Sequence, residues 1–239
     1  NNLANISTVG FKRSQVDFHD LMYVRLLEPG REITAGVTAP SGFEIGSGVK
    51  PASTLKVFTQ GEMENTGRNL DVAIEGDGFF QVTTSDGSAR YTRDGALRTD
   101  ADGSIVTSGG YTLEPSVTIP PDAHAISIGR DGTVTVFSGS DNIPSVVGQI
   151  TLVRFSNPSG LSAEGGNLLA ETPASGSPII GTPGEGGMGS IQQGSLERSN
   201  VQMVTELVSL ITAQRAYEIN SRVIKVGDEM LITANQLIR

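Results

Sequence analysis

Along residues 200–239 apolar side chains return at every seventh position: Met203, Leu210, Tyr217, Ile224, Leu231 and Ile238. A seven-residue period predicts a helix whose apolar seam supercoils against another helix. The run has no proline and one glycine, Gly227, so little in it interrupts a helix. At about 1.5 Å per residue such a helix spans on the order of 60 Å, longer than one globular core covers easily. The sequence therefore predicts a seam buried mostly by other chains. Ser199 and Gln202 read as a capping box ahead of the run. Three positions after the seam stand Glu206, Ala213, Asn220, Gly227 and Ala234, mostly small, which lets helix axes approach. Ala216, Val223, Met230 and Leu237 widen the stripe, and Val201, Val204, Leu207, Val208 and Ile211 spread it over more than one face.

Upstream the period is different. From about residue 54 to 169 apolar positions alternate: Val72 and Ile74, Phe80 and Val82, Ile126 and Ile128, Val134 and Val136, Ile150 and Leu152. A period of two predicts short strands with one buried face. Asp-Gly recurs at 77–78, 86–87, 94–95, 102–103 and 131–132. That dipeptide suits tight hairpin turns, whose central residues take positive φ. The segment 54–172 thus reads as an antiparallel β domain of hairpins. Residues 1–28 read as a helical segment. Leu3, Ala4 and Ile6 share a face up to a cap at Gly10, and Phe18, Leu21, Met22 and Leu26 follow helical spacing up to Pro29-Gly30. Residues 29–53 read as an extended connector, 173–198 as a Gly/Pro-rich return linker, and 199–239 as the coiled-coil helix. The expected fold is α+β, with terminal helices forming an intermolecular coiled-coil layer plus a central antiparallel β domain of hairpins. Leu3 and Ile6, with the six seam residues, are the candidate assembly interface.

Composition narrows the chemistry. The chain of 239 residues has no cysteine, which removes disulfides, thiolate metal sites and a cysteine nucleophile. Charge is uneven: residues 1–60 carry net +1, 61–198 net −10 and 199–239 net zero. No basic patch points to nucleic acid. The acidic middle suits an exposed, soluble domain. Only His19 and His124 are present, far apart in sequence, so a His-based metal site or catalytic triad is not expected. Gly184, Gly186 and Gly189 match Gly-x-Gly-x-x-Gly, but without a strand before or a helix after, and a linker explains them better. Asp100, Asp102 and Gly103 begin like a calcium loop whose twelfth position is Tyr111 rather than Glu; a turn is the simpler reading. Neither an enzyme nor a cofactor is expected.

Four segments carry a resemblance: NNLANISTVGFKR at the start, LDVAIEGDGFFQV with YTRDGALRTDADGSIVTSGGY, GQITLVRFSNPSGL, and SNVQMVTELVSLITAQRAYEINSRVI with its specific core QRAYEINS at 214–221. In this order, over nearly the whole chain, they resemble the bacterial flagellar rod and hook proteins. The stretch from Tyr23 to Pro51, including PSGFEIGSGVKP, is most similar to the distal-rod members. The resemblance implies a subunit exported by the flagellar type III apparatus and polymerised into a helical tube. Terminal helices would line the channel, with the β domain outside. It also implies a further amphipathic helix ahead of NNLAN as the partner of the terminal helix. Implied partners are other copies of the chain, other rod proteins, hook protein, peptidoglycan- and outer-membrane-ring proteins, the export apparatus and the rod cap. The implied location is the basal body, from the periplasm to the outer membrane. Two other readings stand beside it. One is a hook or proximal-rod subunit of the same family. The other is a secreted peptidoglycan-binding or peptidoglycan-cleaving β domain with an oligomerisation helix.

Overall fold

The computed structural model describes residues 1–30, 32–34, 37–38, 40–139 and 143–237. Among the described residues the architecture is α+β: many short strands and one α-helix, Met203–Leu237. The chain divides into two compact units, residues 13–58 and residues 1–12 with 59–239.

The larger unit is built around an antiparallel seven-stranded sheet. Its spatial order is Arg98–Thr99, Ile105–Val106, Thr112–Glu114, Phe80–Thr83, Ala89–Thr92, Leu168–Ala170 and Ser162–Gly165. A three-stranded sheet, Ala123–Ile128, Thr133–Ser138 and Ile143–Gln149, stands beside shorter pairs. The core gathers Phe80, Val82, Ile105, Leu113, Val134, Val136, Ile150 and Leu152 from both sheets and from the pairs between them. The alternation read from the sequence therefore marks the buried faces, as in Phe80 and Val82 or Val134 and Val136, all fully enclosed. Phe155 closes one margin, edge-on to Tyr91 at 4.7 Å and to Phe79 at 6.0 Å.

The five Asp-Gly pairs divide by role. Those at 86–87, 102–103 and 131–132 join neighbouring antiparallel strands, with positive φ at Gly87, Gly103 and Gly132. Asp77-Gly78 and Asp94-Gly95 join strands that do not pair with each other. Gly95 is required for a different reason: a Cβ there would overlap the Val72 carbonyl oxygen, and its own carbonyl accepts from Val72 N at 3.0 Å.

Three local expectations are corrected. Residues 14–28 are not helical but form the strands Ser14–Asp20 and Val24–Leu27. Ser14–Asp20 runs antiparallel to Val49–Lys56, Val24–Leu27 to Phe43–Ile45, and Glu32–Thr34 to Val37–Thr38. Together they make a two-stranded ribbon. A helix there would have left Val49–Lys56 without a hydrogen-bonding partner, and Val16 and Phe18 fit the strand period as well as Phe18 and Leu21 fit the helical one. Residues 173–198 are not a free linker. Ile179–Gly181, Ser190–Gln193 and Ser195–Glu197 pair with Leu152–Arg154, Val72–Glu75 and Met63–Asn65, and Ile191 lies wholly in the core. The glycines of this stretch permit close strand approach, as at Gly189 against the Glu75 carbonyl. Finally, the terminal helix begins at Met203, so Ser199 precedes it; the Ser199 hydroxyl instead accepts from Val201 N at 3.3 Å.

Candidate functional site: an assembly surface

The terminal helix has 35 residues, roughly 52 Å at about 1.5 Å per residue. Three of its hydroxyls bond within the helix: Ser209, Thr212 and Thr233 each donate to the carbonyl four residues earlier at 2.8–2.9 Å. From Met203 to Ile232 its large apolar side chains are exposed. Met203, Leu210, Tyr217, Ile224 and Leu231 are between 48% and 76% exposed. Ile238 lies outside the described residues. Leu3 is exposed and Ile6 half-buried, on the short N-terminal segment that opens with a 3-10 turn at Leu3–Asn5. Asn2 of that segment donates to the Glu206 carboxylate in the first helical turn at 3.2 Å. The candidate residues thus fall into two groups: Leu3 and Ile6 on the segment tied to the helix root, and the seam residues along the helix.

A second apolar face lies outside the heptad seam. Ile219, Val223, Val226 and Met230 surround Gly227 in a shallow notch of about 420 Å³. A Cβ at Gly227 would meet nothing within 4 Å, so the glycine leaves that space open to solvent. At about 100° per residue, Val226 lies roughly 160° from Ile224 around the axis. Glu218, Lys225 and Glu229 share a polar wedge between the faces. Two nearly opposed apolar faces require neighbours on two sides. The signal was present in the i, i+4, i+7, i+11 spacing from Ile219 to Met230.

Where the helix leaves the β domain the structure holds a buried ionic cluster. Glu197, on the strand Ser195–Glu197, is 1% exposed. Its Oε1 accepts from Lys12 Nζ at 2.6 Å and Gly61 N at 2.8 Å, and its Oε2 from Arg93 Nε at 2.9 Å. Arg93 also donates to the Gly76 and Gly78 carbonyls at 2.9 and 2.6 Å. Lys12 donates to Thr59 O at 2.8 Å. Burial by itself pushes the Glu197 carboxyl up, but the Arg93 and Lys12 charges and their hydrogen bonds hold it below its ordinary value. Burial pushes the Lys12 ammonium down, against the attraction of Glu197. Gly10 adopts φ +68° here, and a Cβ would sit 2.7 Å from the Arg93 carbonyl carbon, so both conformation and space call for glycine; its N–H donates to Glu197 O at 2.8 Å.

The residues considered for other chemistry belong to other elements. His19 is on the ribbon and His124 on the strand Ala123–Ile128. Gly184 and Gly186 occupy positive-φ turn positions, and Asp100 to Gly103 close a hairpin through Gly103 N to Asp100 O at 3.0 Å. Among the described residues no three His, Asp or Glu side chains converge as metal ligands, and no helix is long and apolar enough to cross a membrane.

Comparison with known proteins bears on the same elements. Residues 73–136 match the family described as flagellar hook protein FlgE/F/G D1 domain, and residues 192–237 the flagellar basal body rod FlgEFG protein C-terminal family. The flagellar basal-body rod protein FlgG of Buchnera aphidicola (Schizaphis graminum) is 48% identical over 99% of this chain and 91% of its own length. FlgG of Borreliella burgdorferi is 45% identical over 100% of this chain and 91% of its own. FlgG of Bacillus subtilis is 38% identical over 97% and 88%. The second matched family contains both Glu197 and the whole terminal helix. With likeness at this level from end to end, the chain belongs to the bacterial flagellar rod and hook family, as a structural protein of the basal-body rod in the line of the distal rod protein FlgG.

Proposed function

We propose that this chain is the subunit of the distal rod, polymerising through its terminal helix into a helical tube that carries torque from motor to hook. The observation that carries the reading is the 35-residue helix with exposed apolar side chains on two nearly opposed faces. A helix in a closed layer has a neighbour on each side, and two faces match that arrangement. The seam residues Met203, Leu210, Tyr217, Ile224, Leu231 and Ile238 line one contact, with Leu3 and Ile6 beside the helix root. Other copies of the chain are the principal partners. Adjacent rod proteins and hook protein meet its ends, and the peptidoglycan- and outer-membrane-ring proteins surround it. The export apparatus and rod cap deliver and place it. The acidic β domain faces outward, where net charge keeps a turning shaft from adhering to its surroundings.

Electron microscopy of basal bodies from cells lacking the chain, beside complemented cells, tests this. Rods that stop short and carry no hook are the expected result. Complete rods missing only the hook would transfer the reading to a hook subunit, and intact flagella would overturn it.

A further inference from the structure

Two of the segments that carry the family resemblance and the strand just ahead of a third, far apart in sequence, meet at one point. Lys12 comes from NNLANISTVGFKR, Arg93 from YTRDG, and Glu197 from the strand leading into the terminal helix. Their side chains are 3%, 5% and 1% exposed. Two cations and one anion are sealed away from water. Such a cluster is a costly way to gain stability, since burying ions offsets most of their attraction. Geometric definition is the better-attested use of such groups.

The bonds around the cluster show what it defines. Thr59 O accepts from Lys12 Nζ at 2.8 Å and from Asn200 Nδ2 at 3.1 Å. Asn200 lies three residues before the helix and also reaches Thr59 Oγ1 at 3.0 Å. Arg198 N donates to Glu62 O at 2.8 Å, and Gly10 N to Glu197 O at 2.8 Å. Gly61 must be glycine for this crossing, because a Cβ would overlap the Arg198 carbonyl oxygen. So residues 10–12, 59–62 and 197–200 are laid against one another, and Arg93 fastens them to the Gly76 and Gly78 carbonyls of the β domain.

The geometry points to the Lys12–Glu197–Arg93 cluster as a joint that makes the lead into the terminal helix and the N-terminal segment open and close as one unit. Glu197 is the pin: it is bonded to both cations and to the Gly61 amide. The joint fixes how the helix root departs from the β domain, so a load on the helix passes into the domain without bending the connection. Lys12 and Asn200 are positioning residues, acting through Glu197 and Thr59. The mechanical consequence rests on the polymer reading above; the coupling itself does not.

Amide exchange of the full chain, read by mass spectrometry, tests the coupling from both ends. Lys12→Met removes a donor on the N-terminal side and leaves Arg93 and Glu197 as a neutral pair. Asn200→Ala removes one on the helix side and touches no buried charge, so it remains informative if the first variant fails to fold. Each is expected to speed exchange about tenfold or more at the amides of Gly10, Gly61 and Arg198 together. Core amides such as those of Val82 and Leu113 should stay unchanged. The double variant should add little to either single one, as for groups acting through a shared element. Loosening confined to the mutated side would overturn the joint. So would uniform acceleration including the core, which would mark these residues as general stabilisers only. If the free chain shows the coupling and wild-type chain forms no polymer, the joint stands and the rod reading fails. If polymers form but Asn200→Ala changes neither exchange nor bending stiffness, the joint fails alone.

Discussion

Replacing Ile224 with Asp separates assembly from folding. Ile224 is 66% exposed in the single chain, so the change removes little from the folded subunit. Exposed substitutions of this kind stay within about 0.5 kcal/mol, with a few tenths more for helix propensity. In the polymer the balance differs. Full burial of an isoleucine side chain is worth about 1.5–3 kcal/mol, and about two-thirds of that is still available at this position. Placing a carboxylate in the seam adds a desolvation cost of several kcal/mol, limited by its taking up a proton. A combined loss of at least about 3 kcal/mol per contact corresponds to roughly a hundredfold weaker association. Sedimentation across a concentration series should show the polymerisation threshold rising by about that factor. Thermal unfolding of the β domain should be unmoved. Val226→Asp, on the opposite face, should do the same independently, and Glu218→Gln in the polar wedge should do almost nothing. Normal polymerisation of Ile224→Asp refutes the seam. A large drop in β-domain stability refutes the premise that the helix is unpartnered in the single chain.

Three further outcomes are expected. Glu197→Gln should cost about 3–5 kcal/mol, because it strands two buried cations. Since Glu197 is held below its ordinary value when folded, its contribution is complete above about pH 4.3 and is lost as pH falls through its folded value. The gap between wild type and variant in denaturant unfolding should therefore close toward acid pH, and a gap that widens there would contradict the assigned charges. Gly95→Ala should destabilise by about 3 kcal/mol through overlap with the Val72 carbonyl, and a neutral effect in calorimetry would show that the two segments separate easily. The ribbon leaves Phe18 and Met22 64% and 89% exposed, and two-stranded ribbons are marginal alone. Its amides should exchange fast in the free chain and become protected in the polymer; unchanged exchange on assembly would exclude a contact role for it.

Much of the molecule is legible in residue order because its signals are local and periodic. The period of two marked the enclosed faces of the β domain, since strand side chains alternate whatever the neighbours are. The helix was legible for the same reason, and so was its want of a partner, because too many of its positions are apolar for one face. Local signals failed where long-range pairing decides. Residues 14–28 carry both periods in a short window, and the partner strand at residues 49–56 selects the extended one. Residues 173–198 look like a linker by composition, yet Ile191 and Leu196 dock against strands more than a hundred residues earlier. Gly95 looked like a turn glycine and is a close-approach glycine. Above all, no periodicity or motif joins Lys12, Arg93 and Glu197. Sequence alone determined the period-two strands of the β domain and the terminal helix, through short-range sterics and the spacing of apolar positions. Tertiary structure alone decided which distant charges share one dry site, because an ion is held there only when every segment supplying its partners has arrived.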